Sequence, residues 1–142
     1  MAVLSTLLEL AKRATDESAL KLGGAIQASS EMEKKLALLK NYREEYAQRM
    51  QADLTAGREI QHIRNFQIFI GKIDDAIKGQ QQLVMNAQRQ VQIEQQNWQD
   101  QERKRMSYST LEERAEKVQL KKEARRDQLQ NDEFGIRQLF YK

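Results

Sequence analysis

Residues 63–91 read IRNFQIFIGKIDDAIKGQQQLVMNAQRQV, and in this stretch Ile63, Phe66, Ile70, Ile73, Ile77, Val84, Ala87 and Val91 recur at alternating spacings of three and four, with Gln80 as the one polar residue in the series. Such a repeat holds one stripe of a helix against a partner, because 3.5 residues per turn keeps the seam from drifting round the helix. The series continues through Glu94, Trp98, Gln101, Arg105 and Tyr108, so that ten of its fourteen positions are apolar. A second series lies upstream: Leu4, Leu8, Ala11, Thr15, Ser18, Leu22, Ala25, Ser29, Met32, Leu36, Leu39, Arg43, Tyr46 and Met50, again ten of fourteen apolar. Three of its polar members are small hydroxyl residues, and the small side chains at 11, 15, 18, 25 and 29 predict close helix approach.

Between the two series stands Asp53-Leu54-Thr55-Ala56-Gly57-Arg58, where Gly57 suits the left-handed conformation just past a helix end. Two long helices joined so briefly lie antiparallel. The fold class expected is therefore all-α, a long antiparallel two-helix coiled-coil hairpin with unequal arms in a single domain over 1–142. Helix 1 is placed over about 3–54, the turn over about 55–58 and helix 2 over about 59–138. Arms of about 50 and 80 residues measure roughly 75 and 120 Å, so an unpaired C-terminal overhang is expected from about residue 109. After Tyr108 the pattern shifts to Leu111, Ala115, Val118, Lys122, Arg125 and Leu129. Ser109-Thr110-Leu111-Glu112 reads as a capping box, so a kink or restart near 109 competes with a continuous helix. The ten glutamines between Gln80 and Gln101 leave the apolar spacing intact and are compatible with helix.

Composition agrees with long helices and little chemistry. The 142 residues include no proline, no cysteine, six glycines and one histidine, and 32% are charged. Lacking proline and rich in charge, the chain has few obligatory helix stops and too little apolar material for a thick core. Without cysteine there are no disulfides, thiolate metal sites or cysteine nucleophile. The net charge of +3 arises from 24 basic and 21 acidic side chains with interleaved signs. Glu9 interrupts Leu4, Leu7 and Leu8 before a signal-type apolar run can form, and no stretch approaches the roughly 20 apolar residues of a membrane span. A soluble, unprocessed protein is expected.

His62 reads as an exposed polar residue near the turn, since no second histidine exists to complete a metal pair. Adjacent carboxylates at Glu44-Glu45, Asp74-Asp75 and Glu112-Glu113 diverge by about 100° on a helix and build no shared acid-base site. Gly71-Lys72-Ile73 lacks the upstream glycine and following hydroxyl of a phosphate loop. Residues 101–126 hold nine basic and five acidic side chains, among them Arg103-Lys104-Arg105, Lys121-Lys122 and Arg125-Arg126. This could be a nucleic-acid footprint, but Glu112, Glu113, Glu116 and Glu123 interleave with the cations, and intrahelical pairing is the simpler account.

Apolar surface is in surplus near the turn. Leu38, Tyr42, Ile68 and Phe69 flank the seam positions, and four of the nine aromatics (Tyr42, Tyr46, Phe66 and Phe69) lie there. A docking patch is one reading, and a widened core or a third helix from self-association is the other. At the opposite end Leu4, Leu7 and Leu8 meet the start of the overhang, whose sparse stripe ends in Phe134, Ile136, Leu139, Phe140 and Tyr141. A helix with so thin a stripe gains order from a partner.

Taken in order, Leu38-Leu39-Lys40-Asn41-Tyr42-Arg43-Glu44-Glu45-Tyr46, Ala56-Gly57, Asn65-Phe66-Gln67-Ile68-Phe69-Ile70 with Ile73, Ala76 and Ile77, then Trp98, Leu111-Glu112-Glu113-Arg114 and Asp132-Glu133-Phe134 resemble the FliJ family of the bacterial flagellar type III export apparatus. The likeness covers nearly the whole chain. It implies a stalk-like coiled coil without catalytic residues, cofactor or metal, peripheral at the cytoplasmic face of the inner membrane. Its implied partners are the ring-forming export ATPase (FliI type), the cytoplasmic domain of the export gate (FlhA type) and export chaperones, with no nucleic acid and no membrane span. The family's gate contacts map onto Leu39, Tyr42, Tyr46, Phe69, Ile73 and Ala76, and two further positions of the pattern hold Lys35 and Gln80. For the ATPase, the resemblance points to the end bearing both termini, with Leu4, Leu8, Trp98 and Leu111 as the residues expected there. A self-assembling structural coil and a nucleic-acid-binding coil are the alternatives.

Overall fold

A computed structural model describes residues 2–140; Tyr141, the last member of the C-terminal apolar series, lies outside them. Two helices account for nearly all of the described chain, α1 (Ala2–Thr55) and α2 (Ile60–Phe140). They form two compact units, one of residues 18–98 and one that joins residues 2–17 to residues 99–140.

In the 18–98 unit the chain reverses through residues 56–59. Gly57 has φ 72°, its N–H donates to the Leu54 carbonyl at 3.2 Å, and the Arg58 N–H donates to the Asp53 carbonyl at 3.0 Å. This is a Schellman closure, in which a left-handed residue turns two amides back onto carbonyls that the end of α1 leaves unpaired. The Glu59 carbonyl then accepts from the amides of His62 and Ile63 at 3.0 and 3.2 Å and starts α2. Across the turn, His62 Nε2 and Asp53 Oδ2 are 2.8 Å apart, which ties the first turn of α2 to the last of α1.

Below the turn the two helices form an antiparallel hairpin. Its tightest part is Ile70, Ile73, Ile77 and Val84 with Ser29, and every other position of the two apolar series within this unit is half-buried. The polar seam members are absorbed by local bonds. Gln80 Nε2 donates to the Met32 carbonyl at 3.0 Å, and Arg43 pairs with Asp74 on α2. The Asp74 carboxylate raises the Arg43 pKa still further, chiefly through that hydrogen bond. Among the described residues no buried side-chain nitrogen or oxygen lacks a partner, as the cost of an unpaired buried polar atom requires.

In the other unit Leu8, Ala11 and Thr15 are the buried residues, and the Thr15 hydroxyl donates to the Ala11 carbonyl at 2.9 Å. On α2 the half-buried positions continue from Gln101, Arg105 and Tyr108 to Glu112 and Ala115. This corrects the phase shift read after Tyr108: Leu111 is 47% exposed, and Glu112 takes the seam position. The physical reason is helix stiffness. Moving the seam to Leu111 requires local overwinding, whereas an unbroken helix carries its existing stripe forward. No restart occurs at Ser109 either, because α2 is continuous through it. From Glu116 to Phe140 every residue is exposed.

Candidate functional site: the d/g flank of the hairpin

The seam positions define a register. With Arg43, Met50, Ile63, Ile70, Ile77 and Val84 as a residues and Leu39, Tyr46, Phe66, Ile73 and Gln80 as d residues, the residue before each a is a g and the residue after each d is an e. The two flanks of the 18–98 hairpin differ in chemistry. On the e flank Gln88 donates to Glu33 at 3.1 Å and Asp74 takes Arg43. The g flank carries the polar Lys35, Arg49 and His62, but it also exposes apolar side chains, with Tyr42 47%, Phe69 43% and Leu83 49% exposed and Ala76 open to solvent.

All six residues mapped to the gate, Leu39, Tyr42, Tyr46, Phe69, Ile73 and Ala76, stand at d or g, and Lys35 and Gln80 share that flank. They do not share one environment. Ile73 is a core residue at 9% exposure, Leu39 and Tyr46 are half-buried, and Tyr42, Phe69 and Ala76 are open. Of the other apolar residues in surplus, Leu38 sits one turn before Tyr42 and extends the patch. Ile68, at f, stands off this flank although it is exposed.

An aromatic cluster shapes the end of the flank nearest the turn. The Tyr46 ring lies 4.6 Å from Phe69 and 6.3 Å from Phe66, centroid to centroid, tilted in both cases. His62 meets Phe66 edge-on at 5.1 Å, and the Arg49 guanidinium is 5.3 Å from the Tyr46 centroid. Tilted and edge-on rings match the quadrupoles of their faces and edges, and the cation adds attraction to the Tyr46 face. Tyr46, His62, Asn65, Phe66 and Phe69 line a cleft of about 250 Å³. That is room for one or two partner side chains, not for a substrate in a closed pocket. His62, read as a lone polar residue, thus serves as one wall of the cleft. Leu83 and Asn65 were missed, although counting back one residue from Val84 and four from Phe69 finds both.

Of the residues expected at the other end, Leu8 is buried, Leu4 is half-buried and Leu111 is exposed within the unit that carries the termini, while Trp98 is half-buried in the hairpin unit. The charged segment of α2 departs from the pairing expected of it. Glu102 and Arg105 pair, which lowers the Glu102 pKa from its ordinary 4.5 through the Arg105 hydrogen bond. Among the described residues, however, no ion pair involves Arg114, Lys117, Lys121, Lys122, Arg125 or Arg126. No group of three or more metal-ligating side chains occurs among the described residues, and none of their helices is long and apolar enough to cross a membrane.

A family model described as "Flagellar FliJ protein" matches residues 1–142. The chain is 30% identical over 134 residues to the flagellar FliJ protein of Escherichia coli (strain K12) and 28% identical over 134 residues to that of Salmonella typhi, covering 94% of this chain and 91% of each relative. With a match over its whole length and relatives aligned nearly end to end, the chain belongs to the FliJ family of flagellar proteins.

Proposed function

We propose that this protein is the non-catalytic coupling element of flagellar type III export, a stalk-like coiled coil that contacts the export ATPase ring through the unit bearing its termini and the cytoplasmic domain of the export gate through the d/g flank of its hairpin. Escort of export chaperones between cargo cycles belongs to the same reading, with the protein held at the cytoplasmic face of the inner membrane by its partners. The observation that carries the gate assignment is the one-sidedness of the hairpin. The e flank is spanned by two polar pairs, Gln88 with Glu33 and Arg43 with Asp74, whereas the opposite flank exposes the apolar side chains of Tyr42, Phe69 and Leu83. Aromatic side chains anchored in a ring cluster are the usual energetic centre of a protein interface, because they bury much area at little entropy cost.

Within the gate set, Tyr42, Phe69 and Ala76 make the contact, and Leu39, Tyr46 and Ile73 hold them in place from the seam. In the ATPase set, Leu111 offers an exposed side chain, while Leu4 and Leu8 order the N-terminal segment. A pull-down of the purified protein against the export ATPase, followed by an ATPase assay of the mixture, tests the coupling. Stimulation that disappears on truncation after Tyr108 supports it, and undiminished stimulation by the truncated chain refutes the role given to the C-terminal helix. A concentration-dependent mass of the protein alone, abolished by Phe69→Ala, would assign the flank to self-association instead.

A further inference from the structure

The C-terminal part of α2 sorts its charges by face. At about 100° per residue, Lys117, Lys121, Arg114 and Arg125 fall within roughly 80° of one another, and Lys122 and Arg126 lie beyond them across a strip occupied by Leu111, Val118 and Leu129. On the same count Glu112, Glu123, Glu116, Asp127 and Glu113 gather within roughly 100° on the other side of the helix. Like charges therefore stack four residues apart, as in Lys117, Lys121 and Arg125, an arrangement that weakens an isolated helix. Val118, Lys121, Lys122 and Arg125 line one shallow groove, and Leu111, Val118 and Leu129 are 47%, 52% and 59% exposed.

From this arrangement we infer that the face of residues 111–129 centred on Val118 binds an anionic lipid surface. Three features select a flat anionic surface. Cations flank the apolar strip on both sides, so their long stems can lie beside it while their heads reach phosphates on either side. The carboxylates are turned away, where they meet no anionic headgroup. The strip is also a poor seam for a third helix, because Lys122 and Arg125 stand at positions where a coiled coil needs apolar side chains. Length fits as well, since these 19 positions form a helix of about 28 Å, enough to lie along a surface and too polar to enter it. The face shares Leu111 with the residues assigned to the ATPase, and flotation with vesicles alone and the ATPase assay report on the two contacts separately.

Flotation of the full-length protein with vesicles tests it. Vesicles of phosphatidylcholine with about 30% phosphatidylglycerol should carry the protein at about 0.1 M salt and release it near 0.5 M, and vesicles of phosphatidylcholine alone should not carry it. At about tenfold per 1.4 kcal/mol, and with each cation near an anionic surface contributing about 1 kcal/mol, Lys121→Gln, Lys122→Gln, Arg125→Gln and Arg126→Gln together should weaken binding at least a hundredfold. Glu116→Gln with Glu123→Gln should leave it unchanged or tighter. Val118→Ser with Leu129→Ser, which keeps every charge, should weaken it severalfold, and far-UV circular dichroism should show the same helix content in all variants. Equal binding to neutral vesicles, or full binding by the quadruple variant, overturns the inference. So does a 20-base-pair DNA duplex that binds the same residues more tightly than the vesicles do, which would assign the face to nucleic acid.

Discussion

Replacing Ile73 and Phe69 separately by alanine divides the d/g flank into a part that holds the hairpin together and a part that is available to a partner. Ile73 is 9% exposed between Ile70 and Ile77, both equally buried, so Ile73→Ala removes methyl groups from the tightest stretch of the seam. Buried Ile→Ala changes cost about 2–5 kcal/mol, and a two-helix seam, open on both sides, can partly close or admit water, which places this one near 2–3 kcal/mol. At roughly 3–4 °C per kcal/mol for a chain of this size, the thermal midpoint should fall by about 6–12 °C. Phe69 differs. It is 43% exposed, and among the described residues its ring contact is Tyr46, at 4.6 Å. Truncation leaves no closed cavity and loses an aromatic pair worth about 0.5–1.5 kcal/mol with part of the ring's burial, so the drop should be about 1–2 kcal/mol, or roughly 3–8 °C. Thermal unfolding followed at 222 nm measures both. A drop for Phe69→Ala as large as that for Ile73→Ala would make Phe69 a core residue and refute its assignment as free surface.

Other perturbations follow from the same contacts. Gly57→Ala should destabilise by about 1–2 kcal/mol, because φ 72° penalises a Cβ although nothing lies within 4 Å of its position; urea unfolding reads this out, and a neutral result would discount the Schellman closure. Gly79→Ala should stabilise by up to about 1 kcal/mol, since Gly79 is mid-helix and a Cβ there meets nothing; a loss of stability would reveal a close approach at that position. The Glu102 carboxyl should titrate below 4.5 by NMR, held down by Arg105, and return upward in Arg105→Gln. With its folded pKa depressed, the pair's small contribution is present above pH 4.5 and is lost as pH falls through the folded midpoint.

The seam was legible because a 3-and-4 spacing is a property of the helix itself. All fourteen positions counted on α1 and all fourteen on α2 are buried or half-buried, and the polar exceptions prove to be side chains with specific duties, such as Gln80 reaching the Met32 carbonyl and Thr15 bonding within its own helix. What the sequence left open depends on three-dimensional register. Leu111 invited a change of phase on hydrophobicity alone, yet a continuous helix keeps Glu112 and Ala115 on the inner side. Tyr42, Phe69 and Ala76 could be marked as flanking residues, but only the antiparallel pairing shows that they fall on one flank with Leu83, while Ile68 does not. Intrahelical ion pairs were expected from residue order on α2. Side-chain direction decides against them, since the cations and carboxylates of residues 112–127 lie mostly on different faces.

Calorimetric titration of the export gate's cytoplasmic domain into the full-length protein tests the central claim most directly. Tyr42→Ala with Phe69→Ala should abolish binding while helix content is kept and the protein stays folded at the titration temperature, and Lys40→Ala with Gln81→Ala, on the e flank, should bind as the parent does. Binding undiminished by the first pair, or lost equally in the second, would contradict the assignment of the d/g flank as the gate-docking surface.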